Sequence, residues 1–490
     1  MSSAGDKPLR VIVVGGGLSG LAAAHRFAEL GRGGGLPAAP GAAQAGRPVA
    51  VTVLEASPRL GGVIATERSG GFLLEAGADA FLTDRPWAAD LCRRLGIAGQ
   101  LIETAPDGRR SFIVRGGRLV PVPSGWYLLA PDRWATLLQS PLLGWRGKLR
   151  MALEPLIPPR RDAADESVAE FVRRRFGREA LARVGQPMLA GITTADPERL
   201  SLRAAMPAFA EMEARHGSVL RALRARAAGG ASGPRYHLFA SLRGGVQQLI
   251  EALAAAAVPD VAIRCRARVA AVTPGSDWTV LLEDGETLRA DAVCLAVPAP
   301  HAARLLGAAD APLAALLARI PYASVATVQL GFRRRDVAHP LDGFGFVVPE
   351  AESLNLIGCT FASRKFEGRA PEDMVLLRAF LGGALHEADA ALDDDALISR
   401  SRETLGRLLG ITAAPQLAAA RRFPASMPQY HVGHQEVVRR IEAAAARHRG
   451  LGLTGNAYRG VGIPDCIRHA EATAEQLYAS CASLECSHAV

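Results

Sequence analysis

The sequence predicts an α/β protein organised on a parallel sheet, and three observations predict it. A β-branched run, "RVIVV", enters the turn "GGGLSG" and continues into a helical stretch, "LAAAHRFAEL". A second alternating run, "VAVTVLEA", delivers an acid, Glu55, at its end. Far downstream, "GLGLTG" passes through another glycine-rich turn into the helical "DCIRHAEATAEQLYA". Strands that alternate with helices favour a parallel sheet covered by helices.

Bulk properties bound what such a chain can do. With 490 residues it can bury several cores, and length alone suggests roughly two to four domains. An apolar share of 49% with 21% charged residues is ordinary for a globular protein. The net charge of +9 comes from arginine, since Lys7, Lys148 and Lys365 are the only lysines. Its densest basic stretches, "VRRRFGR" and "FRRRD", are short and interleaved with apolar residues, so no nucleic-acid partner is expected.

Seven cysteines are scattered without a CxxC pair, which suits a reducing, cytoplasmic setting and no metal site. Cys481, Cys486 and His488 read as a loose tail, and His431 and His434 lack an acid at ligand spacing. The opening "MSSAGDKPLR" has no apolar core of a secretory signal. No apolar run approaches the ~18 residues of a membrane span, although a peripheral contact on the inner face of the cell membrane stays open.

Taken in order, the first turn is the most informative. Gly15, Gly17 and Gly20 form G-x-G-x-x-G directly between a strand and a helix. The first glycine allows a tight turn, the second a close approach of backbone to a pyrophosphate, the third close helix–strand packing. The helix then offers free N–H groups to the phosphates.

The stretch 31–48, "GRGGGLPAAPGAAQAGRP", is almost wholly Gly, Ala and Pro and reads as a flexible surface insertion. Without about sixteen of its residues, Glu55 falls near the ~20-residue position of a ribose-binding acid. Arg59, Gly61 and Gly62 follow directly, and "GGFLLEAGADAF" supplies further backbone at Gly77, Ala78 and Asp79. This second clasp suits a cofactor longer than NAD.

Residues 86–235 read as mainly helical. Within them, 125–150 holds three of the five tryptophans together with Arg133, Arg146, Lys148 and Arg150. That composition suits a monotopic membrane contact, and it suits a buried helical domain equally well. From residue 261 short strands return, with Asp284-Gly285 as a hairpin turn, and 320–383 alternates again.

In the final unit Gly455 ends a strand, and Val461, Gly462 and Ile463 lead into a helix capped near Asp465. Ile467, Ala470, Ala474 and Leu477 share one face of it. The expected domains are a discontinuous cofactor-binding domain (9–85, 236–300 and 445–480), a helical subdomain (86–235) and a substrate-binding α+β domain (301–444).

"VIVVGGGLSGLAAA", "LEASPRLGG", "SLRGGVQQL", "MPQYHVGH" and "GNAYRGVGIPDCI" together resemble the porphyrinogen oxidases of haem biosynthesis, within the flavin amine oxidase superfamily. The resemblance runs over roughly residues 10 to 478. It implies a Rossmann-like FAD-binding domain of the flavin amine oxidase type, a mixed-sheet substrate domain and a helical subdomain. By this resemblance FAD would meet Gly15, Gly16, Gly17, Leu18, Ser19 and Gly20 at the first turn. It would also meet Glu55, Ala56, Arg59, Gly61 and Gly62, then Gly77, Ala78 and Asp79. Val269 would lie at the adenine; Gly455, Val461, Gly462 and Ile463 would lie at the flavin edge.

The implied reaction removes six electrons from a porphyrinogen, with oxygen as acceptor and hydrogen peroxide as product. Protoporphyrinogen IX is the expected substrate and coproporphyrinogen III the alternative. No side chain is expected to act as catalyst. Two departures bear on the substrate. Thr193, Thr194 and Ala195 stand where relatives often carry an aromatic and a glycine. At the place of a propionate-binding arginine the chain has Ser111, with Arg110 one step earlier and therefore facing the other way along a strand. Arg110 is the candidate substrate residue. A carotenoid desaturase, an amine oxidase and a non-catalytic protein on the same scaffold remain as rivals, and the oligomer, a homodimer included, is left open.

Overall fold

The computed structural model describes residues 7–33, 47–160, 162, 164–228, 239–257 and 259–482. Most of the 31–48 insertion, and Cys486 and His488 of the tail, lie outside the described residues.

β1 (Leu9–Val14) forms the middle of a five-stranded parallel sheet because it is apolar on both sides. Leu9, Val11 and Val13 enter one core, Ile12 and Val14 another, as a doubly covered parallel strand requires. It is flanked by β2 (Val49–Leu54) and the Ala292–Leu295 strand; Val261–Arg264 and Leu451–Leu453 complete the two edges.

One face is covered by α1 (Leu18–Gly31) and the Ile463–Ala482 helix, through Phe27, Ala470, Ala474 and Leu477. The apolar face expected of the second helix is therefore the buried one. The other face carries a three-stranded antiparallel sheet, Val269–Thr273, Trp278–Leu282 and Thr287–Ala290. Its hairpin turns at Asp284-Gly285, where Gly285 has φ +93°. Three helices, Ala299–Leu306, Ala311–Leu317 and His434–Ala445, join this same core. The packing of the first sheet thus reaches into both ends of the expected 301–444 unit.

The second body is a seven-stranded sheet ordered Leu417–Pro428, Tyr322–Arg333, Met374–Gly382, Gly358–Phe361, Gly345–Val347, Phe112–Arg115, Arg118–Pro121. Its outer face packs on the Asp394–Leu409 helix through Leu397, Leu405 and Leu409. The strands at 112–121 come from the stretch expected to be mainly helical. They form because Gly116 and Gly117, at φ +58° and +69°, close a two-residue hairpin that only such residues adopt without strain.

The third body is helical. Phe171, Phe176, Phe209 and Trp126 fill its centre. Glu154 and Arg175 are paired there with neither side chain exposed. Glu154 also accepts from Ser218 and from Val219 N, and such added bonds are what make a buried ion pair tolerable. No helix among the described residues is long and apolar enough to cross a membrane.

Candidate cofactor and substrate site

All five strands of the first sheet run the same way, so their carboxyl ends share one edge, the usual ligand edge of such sheets. Gly15 leaves β1 there with φ +109°, and a Cβ on it would stand 2.6 Å from Ala296 O. A Cβ on Gly20 would overlap the Gly15 carbonyl oxygen, so α1 can start against the turn only as glycine. Gly17 is the opposite case. Nothing lies within 4 Å of where its Cβ would be. It caps α1 with no side-chain hydrogen bond and no acid in the first turn. The turn is closed inward and open outward at the start of a helix, and that fits a diphosphate.

Glu55 is held at this turn. Its carboxylate accepts from Gly16 N and from Ser57 N, both at 2.7 Å. Its backbone is fixed by Arg264 O and Ala267 N, on the chain that runs on to Val269 at the start of the antiparallel sheet. Half-buried Ala56 follows directly.

Gly61 N donates to Gly16 O at 2.8 Å, so the second glycine pair abuts the first turn. Arg59 braces that pair from outside by donating to Gly62 O at 2.6 Å and Ile64 O at 2.9 Å.

β3 (Thr66–Ser69) and β4 (Phe72–Glu75) form the hairpin that carries the next clasp. Burial pushes the Glu75 carboxyl up, against the pull of Thr66 Oγ1 at 2.7 Å and Val246 N at 2.9 Å. Val246 belongs to the "SLRGGVQQL" stretch, whose place in the fold is thereby explained. Beyond β4, Ala76 O and Gly77 O accept from Arg378. Asp79 pairs with Lys365 at 3.0 Å. Burial alone would raise Asp79, yet Lys365 and Arg378 hold it below the usual carboxylate range.

Arg378, on the seven-stranded sheet, and Lys365, at the end of the short Ala362–Lys365 helix between two of its strands, were not singled out from sequence. The available signal was one arginine inside the apolar strand "MVLLRAFLGG".

The C-terminal turn arrives beside the first. Leu18 and Leu21 of α1 share a core with Ile463, Cys466 and Ile467, so the two helices begin side by side. Segments more than four hundred positions apart thus meet on one edge. Gly455 has φ +129° with open space at its Cβ, and Val461 packs against the helical body. Asp465 does not cap the helix, as the sequence suggested. The helix starts at Ile463, and Asp465 sits in its first turn paired with Arg85.

Arg110 stands apart from these groups. Its guanidinium pairs with Asp342 at 3.2 Å and is half-exposed. Along the strand it has the parity of Phe112 and Val114, whose side chains enter the outer core. Ser111 has the parity of Ile113, which faces the helical body.

The 125–150 segment divides. Trp126 is buried, whereas Trp134 and Trp145 are exposed, the latter by 70%.

The profile of the flavin containing amine oxidoreductase family matches residues 18–478. The chain belongs to this family. As a family member it is an FAD-dependent oxidoreductase, and the glycine turns and Glu55 are the groups that fit its cofactor.

Among relatives, it is 31% identical to a coproporphyrinogen III oxidase of Bacillus subtilis (strain 168), covering 95% of this chain and 97% of that one. It is 34% identical to a protein of the same name from Propionibacterium freudenreichii subsp. freudenreichii, covering 95% and 90%. A solved structure from Exiguobacterium sp. 255-15, which carries a provisional protoporphyrinogen oxidase name, superposes with a TM-score of 0.84. It is 29% identical, with 96% of this chain and 99% of that chain covered.

Proposed function

We propose that this oxidoreductase converts a porphyrinogen to the corresponding porphyrin in haem biosynthesis, with molecular oxygen as acceptor. The observation that carries the reading is the meeting of the Gly15–Gly20 and Val461–Ile463 turns on one sheet edge, in a chain that aligns end to end with porphyrinogen oxidases. Bound FAD would supply a two-electron acceptor that oxygen regenerates as hydrogen peroxide is released. Three such rounds balance the six electrons and six protons the macrocycle loses.

The chain's own residues bind and orient. The first amides of α1 hold the diphosphate, Glu55 holds the ribose, and the amide end of the Ile463–Ala482 helix stabilises negative charge near the ring edge. The ordering of the macrocycle falls to the cleft-facing sides of the helical body and the seven-stranded sheet, so that positioning rather than a side-chain acid or base supports the chemistry.

Two substrates fit, protoporphyrinogen IX with two carboxylates and coproporphyrinogen III with four. Ser111 on the inward parity, with Arg110 turned outward to Asp342, favours the second; the relatives at 31% and 34% identity bear that name too. The deciding experiment mixes the oxidised holoenzyme anaerobically with each porphyrinogen and follows the flavin absorbance. Bleaching by one identifies the substrate, and bleaching by neither overturns the reading.

We also propose a cytoplasmic protein with a peripheral contact on the inner face of the cell membrane. Trp134, Leu138, Trp145, Leu149, Leu153 and Leu156 are all exposed. Among exposed residues of that stretch the charges are Arg133 and Arg146, with no acid. An apolar stripe rimmed by cations suits an anionic lipid surface.

A further inference from the structure

The "MPQYHVGH" stretch sits where three parts of the chain meet. It leaves the Leu417–Pro428 edge strand, and its backbone is tied to the helical body. Ser201 N donates to Tyr430 O at 2.7 Å, Val432 N to Arg199 O at 2.9 Å, and Gly433 N to Asp165 Oδ2 at 2.9 Å.

Its side chains reach the other way. Tyr430 Oη donates to Asn456 O at 2.6 Å and accepts from Gly460 N at 2.9 Å. The Tyr430 ring stacks on His434, with centroids 3.9 Å apart and planes 12° from parallel. His434 Nε2 lies 3.1 Å from Tyr458 O. A carbonyl only accepts, so Nε2 carries the proton there. Burial holds this imidazole neutral, with its pKa pushed down to about 4.

Three backbone groups of residues 456–460 therefore bond to one pair of stacked rings. That short loop carries the chain from the Leu451–Leu453 strand into the Val461–Ile463 turn. It has little room to relax, because Gly460 has φ +123° and lies tight against Asp465. A buried tyrosine needs one partner for its hydroxyl to be satisfied. This one takes a donor and an acceptor from the two ends of the same loop and brackets it.

We propose that the Tyr430–His434 stack is a positioning element, locking the turn at the flavin edge to the helical body and thereby setting how the reacting ring meets its substrate. The inference rests on the porphyrinogen oxidase reading above. Neither ring is assigned a contact with reacting atoms, so both act through the 456–460 loop.

The test is made on holoenzyme. Tyr430→Phe keeps the ring and the stack and deletes both loop bonds. FAD content is expected to stay at the wild-type level, since the phosphate turn is untouched, while the visible flavin circular dichroism changes. Anaerobic flavin reduction at saturating porphyrinogen slows about tenfold, the loss expected of two modest hydrogen bonds, and KM moves by less than about threefold. His434→Phe, which keeps a stacked ring but loses the bond to Tyr458 O, shifts the same two signals in the same direction. It decides the matter if Tyr430→Phe does not fold.

A lower thermal midpoint with wild-type dichroism and reduction rate means ordinary core packing and overturns the proposal. Should neither porphyrinogen bleach the wild type, the substrate reading fails by itself. The stack is then judged on flavin dichroism and midpoint potential, and unchanged values overturn it.

Discussion

Gly17 and Gly20 are both replaceable by alanine on paper, and the structure separates the two outcomes. Gly17 is extended at φ −76°, and its Cβ would meet nothing within 4 Å. Replacing a glycine cap by alanine costs about 0.5–1 kcal/mol, and the stiffer unfolded chain returns about 0.4–1 kcal/mol. The unliganded protein should therefore unfold at nearly the wild-type temperature. The added methyl, however, enters the opening assigned to the diphosphate, and FAD binding should weaken at least about tenfold, or ~1.4 kcal/mol.

Gly20→Ala drives a Cβ into the Gly15 carbonyl, with Ala296 Cβ 3.3 Å behind it. Overpacking of this kind costs ~1–3 kcal/mol, so both stability and binding fall. Thermal unfolding of deflavinated protein, paired with fluorescence titration by FAD, reads both quantities. If Gly17→Ala binds FAD like wild type, or loses as much stability as Gly20→Ala, the open side of the turn is not the diphosphate cradle.

Glu55→Ala strips the acceptor from two amides, each bond to a charged group being worth about 1.5–3 kcal/mol, while Glu55→Gln keeps one acceptor. FAD affinity should fall in the order wild type, Gln, Ala, and equal affinities would count against the ribose role. Burial pushes His434 and His469 down to about 4. Their folded values lie below the unfolded ~6.5, so each contributes fully above pH 6.5 and loses its contribution as the pH falls through about 4. That is on the order of 3 kcal/mol per site, and a denaturation series from pH 7 to 4 should be flatter for His469→Leu. Trp145→Asp with Leu149→Asp should abolish co-sedimentation with anionic vesicles and leave unfolding unchanged, since both side chains are exposed. Wild-type protein that stays in the supernatant refutes the lipid reading.

What could be read from sequence was what the backbone itself demands. Gly15, Gly17 and Gly20 are glycines for three different geometric reasons, and each reason belongs to a fixed place between strand and helix. Ile467, Ala470 and Ala474 announced a buried face through spacing alone. Arg378 and Lys365 announced little, because their partners at Ala76, Gly77 and Asp79 lie some three hundred positions away.

The Leu417–Pro428 strand was missed for a local reason. Two arginines and two prolines hide it, and they are tolerated because it is an edge strand with a bulge between the partners of Ala323 and Val325. The sequence puts the helix cap near Asp465. Pro464 instead occupies the first turn, a proline-tolerant position, and moves the start to Ile463. Tryptophan content at 125–150 could not separate buried Trp126 from exposed Trp145, since a sequence shows only that a ring is present.

The parallel sheet also has a schedule written into it. Its last strand, Leu451–Leu453, is synthesised well after Ala292–Leu295, with which it must pair. Until then the nascent protein exposes a bare β edge, a template for association with neighbouring chains. A chain cut short before residue 451 would be able to form the first glycine turn but would lack both this strand and the Val461–Ile463 turn.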